Sequence, residues 1–328
     1  MFKVHGGQQS SGGSTSEKTI DFKAMNEYVI ATAKLEDRET LVGHISQIVD
    51  LGTQKLPDAE SVFKGDAKEE ADIIAKQPET YFKDGFDWET KQKARFKCYP
   101  QKDQPCVAFA VDFPDIMVDK GQFFGEAKPL PLRLWMGGQF YTQESGMVIG
   151  RPTPLKYTNL DKSRKTKVWS MALNSLPYKM AVAAKLVKSG EPFLPERIDE
   201  LLGKSFQFAA QLWMKNSKSG EEYYTEYVNF VGALGRGQEE CKHFTTPQLV
   251  HFEADNSEES IKEIRAHIIN TIKRATNYAG SNIEAQIDKY RFSKDNKPST
   301  PKVESKPAVQ HNAIDDYEFD EFDDDIPF

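Results

Sequence analysis

Between residues 91 and 231 the chain carries five segments that read as strands, some by clear alternation of apolar and polar side chains, and one helical segment falls between the third and the fourth. In 91–99, Ala94, Phe96 and Cys98 share one face, and Lys93, Arg95, Lys97 and Tyr99 the other. Segment 106–113 follows a short polar turn with Pro105 and reads as the hairpin partner of the first. In 131–141, Leu132, Leu134 and Met136 lie on one face, with Arg133 and Trp135 on the opposite one. Period-two alternation marks a strand with one covered face. Segment 177–190 is helical, with Pro177 suited to a first turn and Gly190 to a stop. Segments 204–215 and 222–231 are strands again, joined by the turn NSKSGE. Strand, strand, strand, helix, strand, strand is the element order of the OB-fold, a five-stranded Greek-key barrel. The expected class is therefore α+β or mainly β. A compact α+β domain of another topology shares the order, which leaves closure into a barrel open.

The flanks differ in composition. Residues 1–18 are rich in Gly and Ser and read as a disordered arm. Residues 19–90 read as a mainly helical extension packed on the core. Met25, Val29, Ile30 and Ala33 fall at helical spacing, and 66–76 suggests a second, short helix. The core, 91–290, closes with one helix over 255–280, which sets Ile261, Ile264, Ile268 and Ile272 in a single stripe. Residues 291–314, mostly Lys, Pro, Ser and Asn, read as a flexible linker, and 315–328 as an acidic tail.

Hydrophobic residues make up 38% of the 328, enough for a sizeable core. No apolar run approaches the roughly 18–20 residues of a membrane span, and the N-terminal stretch lacks the apolar centre of a secretory signal. Three cysteines form no disulfide framework, so a reducing, cytoplasmic setting is expected. The net charge of −7 hides a polarised chain. Eight acids and no Lys or Arg lie between Asp315 and Asp325, and the rest holds 42 acids against 43 bases. Within 91–170 there are 14 bases and 7 acids. A basic middle and an acidic end suggest nucleic acid at one and a competing tail at the other.

In that middle, cations interleave with flat rings: Arg95, Lys97 and Tyr99; Arg133 and Trp135; then Arg151, Lys156, Tyr157, Lys162, Arg164, Lys165, Lys167 and Trp169. A single strand exposes both phosphates and base faces. Cations meet the first, and each ring stacked on a base contributes about 1–3 kcal/mol. Residues 155–169 read as a mobile basic lid. The bland alternatives are half-buried barrel aromatics and a solvated basic loop. No metal or cofactor is expected. Cys98, Cys106 and Cys241, with His243 and His251, lack the paired spacing of a zinc site. Asp112, Asp115 and Asp119 are weighed as a Mg²⁺ seat, with solvated loop acids as the plainer reading. Segment 232–238 is Gly-rich but lacks the Gly-Lys-Ser/Thr end of a phosphate loop.

The last six residues, Asp323, Asp324, Asp325, Ile326, Pro327 and Phe328, are identical to the C-terminal tip of bacterial single-stranded DNA-binding proteins. The whole chain resembles the larger single-stranded DNA-binding proteins of bacteriophages, which join an elaborated OB-fold to an acidic, aromatic-ended tail. That likeness is one of plan for the core and of residues only for the tail. It implies a tip that docks on replication, recombination and repair enzymes. Phe328 would fill an apolar pocket, its carboxylate would meet a Lys or Arg, and Asp323–Asp325 would meet a basic rim. The linker reaches roughly 25 Å, so the acids could also visit the basic groove in the absence of DNA.

The expected function is sequence-independent binding of single-stranded DNA without catalysis, with no membrane partner and with homo-oligomerisation left open. The alternatives are a protein that mimics the tail and binds no DNA, a strand-annealing recombinase, and a Mg²⁺-dependent nuclease.

Overall fold

The computed structural model describes residues 21–87, 90–125, 127–136, 141–142, 148–149, 152–163, 165–216 and 222–292. In chain order they form α1 (Phe22–Ala33), β1 (Glu39–Gln54), β2 (Ala59–Phe63), α2 (Ala67–Lys76), β3 (Tyr81–Asp87), β4 (Gln92–Tyr99), β5 (Gln104–Asp119), α3 (Gly121–Phe124) and β6 (Pro129–Met136). Then come β7 (Tyr141–Thr142), β8 (Val148–Ile149), β9 (Thr153–Pro154), β10 (Tyr157–Asn159), β11 (Trp169–Met171), α4 (Leu176–Ala183), β12 (Ser205–Asn216), β13 (Glu222–Gly232) and β14 (Gln248–Val250). The short helices α5 (Glu258–Glu263), α6 (Ala266–Ile272) and α7 (Asn282–Arg291) follow. The chain is thus a mixed α/β protein built mostly on antiparallel sheets. Its described residues fall into two compact units, 21–54 with 103–292, and 55–102. Among them, no helix is long and apolar enough to cross a membrane.

The larger unit is organised by β1. It pairs with β12 on one side and β5 on the other, and the sheet runs β13-β12-β1-β5-β6, with β14 parallel to β1 and β9 added to β5. Leu132, Leu134 and Met136 of β6 enter the core, as their alternation requires, beside Ile45, Phe109, Val111, Phe113, Phe206 and Phe208. Phe206, Phe208 and Phe230 meet edge to face at 5.4–6.3 Å, the geometry that ring quadrupoles favour. Helix α1 starts at Asp21, whose side chain accepts the Ala24 N–H at 3.0 Å, and buries Val29, Ile30 and Ala33.

No strand ladder joins β6 to β13 among the described residues. A side-chain clip spans the gap instead. The Trp135 N–H donates to Glu226 Oε1 at 3.2 Å, and Arg265 Nη1 donates to Glu226 Oε2 at 2.6 Å. Arg265 Nη2 donates to the Arg133 carbonyl. This inward turn of Arg265 corrects the single helix expected over 255–280. Ile264 and Arg265 are extended, and α5 and α6 form on either side. All four isoleucines of the expected stripe are nevertheless buried.

Two further expectations change. Residues 19–90 are not mainly helical: beside α1 and α2 they contain β1, β2 and β3. The pattern of β1 is hidden by bulges at Ile45/Gln47 and Asp50/Thr53 and by buried His44, Ser46 and Gln47. The segment read as first strand, β4, is not a partner of β5. It is the middle strand of a separate sheet, β2-β4-β3, in the smaller unit. The strand that opens the large sheet is β1, so the order strand, strand, strand, helix, strand, strand runs β1, β5, β6, α4, β12, β13. In the smaller unit Asp66 caps α2, accepting the Lys68 and Glu69 N–H groups at 2.9 Å. Gly85 is required where it stands, because a Cβ would lie 2.9 Å from the Phe96 ring that crosses it.

Candidate nucleic-acid interface

The three groups of expected binding residues have different fates. On β4, Arg95 is engaged within its own unit. Its Nη2 meets Glu70 Oε1 at 2.7 Å and its Nη1 meets Asp84 Oδ1 at 3.2 Å, while its guanidinium lies 6.0 Å from the Phe82 ring centre. The hydrogen bonds it donates to Glu70 are the main influence that raises its pKa above the ordinary value. Lys97 lies 6.0 Å from the centre of the Tyr99 ring, and Tyr99 is exposed. Only Lys97 and Tyr99 of this group therefore keep a surface open to a ligand.

On β6 the expectation fails. Trp135 is 1% exposed and packs edge-on to His267 at 6.4 Å. It is a core residue. Arg133 binds Asp112 with two parallel hydrogen bonds, Nε to Oδ1 at 2.7 Å and Nη2 to Oδ2 at 3.0 Å. Its Nη1 also donates to Glu263 at 2.6 Å. Burial opposes its charge, but Asp112 and then Glu263 outweigh burial and hold its pKa above the ordinary value. Asp112 also accepts from Ser46 Oγ at 2.8 Å, so it is a structural anion and not an open metal ligand. Beside it His44 is buried against His243, rings 4.5 Å apart. Burial pushes His44 down to about 4.

The third group comes together on one hairpin. Strands β10 and β11 pair Tyr157 with Met171, Thr158 with Ser170 and Asn159 with Trp169. Tyr157 and Trp169 therefore share a face and lie diagonally, within reach of the same ligand. They are 48% and 49% exposed. The hairpin stands on a fixed base. Leu155 N–H donates to the Pro105 carbonyl at 2.8 Å, and Met171 N–H to the Phe193 carbonyl at 2.8 Å. Ser170 Oγ is buried and accepts the Phe193 N–H at 3.1 Å. Lys156 is exposed. In the connecting loop Lys162, Lys165 and Lys167 are exposed and carry no ion pair among the described residues. Arg164 and Arg151 lie outside the described residues.

The described residues of the loop expected to be a mobile lid are joined by hydrogen bonds. Ser163 donates its N–H and its hydroxyl to Asp161 Oδ1 at 2.9 and 2.6 Å. Thr166 donates its N–H and its hydroxyl to Asp161 Oδ2, both at 2.7 Å. Asn159 Oδ1 accepts from Asp161 N at 3.1 Å and Val168 N at 3.0 Å. These bonds, led by the Ser163 hydroxyl, hold the Asp161 carboxyl well below the usual range. Sequence reading counted the cations and passed over Asn159 and Asp161. The signal was present: Asn and Asp followed at short range by Ser and Thr are the residues that bond their own backbone in turns.

Among the described residues no three His, Cys, Asp or Glu side chains come together as a metal site. Asp119 Oδ1 accepts the Gly121 N–H at 2.8 Å, and His243 Nε2 bonds the Gly203 carbonyl at 2.9 Å. The expected partner-binding residues Asp323–Phe328 lie outside the described residues. No family model, curated relative or solved structure matches this chain.

Proposed function

We propose that this protein binds single-stranded DNA without reading its sequence, with the β10–β11 hairpin as the contact surface. The observation that carries the reading is the hairpin itself. Two half-exposed rings share one face, beside Lys162, Lys165 and Lys167, which are exposed and carry no ion pair among the described residues. Such a surface matches both parts of a single strand, its phosphates and its unstacked bases.

The architecture supports the same reading. The path β13-β12-β1-β5-β6 within the larger sheet, with α4 between β6 and β12 in sequence, is compatible with the strand order of an OB-fold. In such barrels strands two and three meet oligonucleotides. The counterpart of strand two is β5, and β9 ties the hairpin to it through Cys106–Pro154 and Val107–Thr153. The protein would coat DNA exposed during phage replication, recombination and repair in the bacterial cytoplasm. Its Asp323–Phe328 tip would recruit partner enzymes.

The test is quenching of intrinsic Trp fluorescence on titration with poly-dT between about 50 and 200 mM salt, a range over which phosphate-dominated binding weakens steeply. Quenching with a steep salt slope is expected. No binding, with residues 315–328 present or removed, overturns the reading and leaves a tail-mimicking interaction protein as the better account.

A further inference from the structure

We infer that Asp161 is a positioning residue of this interface, holding 160–163 and 165–168 in place so that Lys162, Lys165, Lys167 and Trp169 are presented together to one strand. The inference rests on the nucleic-acid reading of the hairpin and adds a part to it that charge counting would reject.

Asp161 is the only acid between Lys156 and Trp169. A carboxylate in such a loop ordinarily pairs with a neighbouring lysine and weakens the attraction to phosphate. This one forms no ion pair with a lysine among the described residues, although its charge remains. Each oxygen accepts two bonds, from Ser163 on one side and Thr166 on the other, across 2.6–2.9 Å. Asn159 extends the same lattice: its Nδ2 donates to the Thr166 carbonyl at 3.1 Å, and its Oδ1 takes the Asp161 and Val168 N–H groups. The Leu160 N–H closes the neck on the Val168 carbonyl at 2.8 Å. Trp169 follows directly, opposite Asn159 in the ladder. The backbone position of Trp169 is thus tied to Asn159, which Asp161 also bonds.

The physical consequence is pre-organisation. A loop that already has its bound shape loses less conformational freedom when the strand arrives. Two effects of removing Asp161 then have opposite signs. Electrostatics alone makes the loop one unit more positive, so binding tightens and the salt slope steepens by about 0.7. Loss of positioning weakens binding and scatters the Trp169 ring.

The experiment compares the full chain with Asp161→Ala, Asp161→Asn and the charge-neutral pair Ser163→Ala and Thr166→Val, each titrated with oligo-dT. Asp161→Ala should bind about tenfold more weakly, the order expected when a few ordered side chains are released. Asp161→Asn, which keeps an acceptor, should recover part of the loss. Ser163→Ala with Thr166→Val should weaken binding in the same direction with net charge unchanged. Acrylamide quenching of Trp169, taken as the difference from Trp169→Phe, should rise in free Asp161→Ala. If Asp161→Ala binds as tightly as the native chain or more tightly, the positioning role is overturned and the hairpin reading stands. If the native chain binds no oligo-dT, the hairpin reading itself is overturned. If Asp161→Ala does not fold, the neutral pair decides by the same sign.

Discussion

The strands β4 and β6 and the hairpin β10–β11 carry the same kind of sequence, basic residues set beside aromatic ones, and the fold uses them in opposite ways. On β4 and β6 the arginines are drawn to carboxylates: Arg95 to Glu70 and Asp84, Arg133 to Asp112 and Glu263. Trp135 is buried, edge-on to His267. In the hairpin the single acid is taken up by Ser163 and Thr166, and Lys162, Lys165 and Lys167 are exposed with no ion pair among the described residues. Basic–aromatic interleaving therefore marks two different things. With arginine on a sheet strand it marks internal bracing, and with lysine on a hydrogen-bonded loop it leaves cations and rings exposed, the surface proposed to meet DNA. The guanidinium's planar fork suits fixed, bidentate pairing, whereas the lysine head is strongly hydrated and stays outward.

The sharpest way to break this contrast is Arg133→Ala. If Arg133 braces the fold, its removal leaves Asp112 buried and unpaired, a loss of about 3–5 kcal/mol, read by denaturant unfolding. The fraction that remains folded should bind poly-dT as the native chain does. Weakened binding with unchanged stability would return Arg133 to the interface.

The same buried cluster should respond to acid. His44 faces Asp112, Arg133 and His243, and its folded pKa is lowered to about 4. The unfolded chain takes up a proton at His44 near pH 6.5, while the fold resists until about pH 4. The fold therefore loses stability as pH falls through that window, on the order of 3 kcal/mol in all, and His44 adds no further loss below it. His44→Phe should flatten this part of the pH dependence. An unchanged slope would show that other groups set it.

Legibility followed the distance over which partners act. The face of β6 could be read because Leu132, Leu134 and Met136 are spaced two apart, and spacing is local. The fate of Arg133 could not, because its acids lie 21 and 130 residues away in sequence. Arg95 was misjudged for the same reason, with Glu70 25 residues distant. Strand β1 was missed because two bulges shift its phase and three buried polar side chains break its apolar rhythm. The hairpin could be read because its cations, its rings and its neighbours all lie within 156–171. Its shape was still misjudged, since Asn159 and Asp161 act through hydrogen bonds to their own loop.

The hairpin side is tested by Trp169→Ala and Tyr157→Ala. If each ring stacks on a base, each substitution should weaken poly-dT binding by about 1–3 kcal/mol without shifting the melting temperature, since both side chains are half exposed and outside the core. Trp169→Ala should also remove most of the fluorescence quenching. Retention of that quenching would assign the signal to another of the four tryptophans.

The finest cut separates charge that is open from charge that is already paired. Lys165→Ala with Lys167→Ala removes two cations that have no ion pair among the described residues. The slope of log affinity against log salt should fall by about 1.4, near 0.7 per phosphate contact on a single strand. Arg95→Ala removes one cation as well, but one whose field Glu70 and Asp84 already oppose. Its salt slope should match the native chain within error, and any effect should appear in the stability of unit 55–102. Equal slope changes per charge at the two places would mean that pairing to Glu70 and Asp84 does not withhold Arg95 from phosphate, and the division between bracing strand and binding hairpin would have to be redrawn around β4.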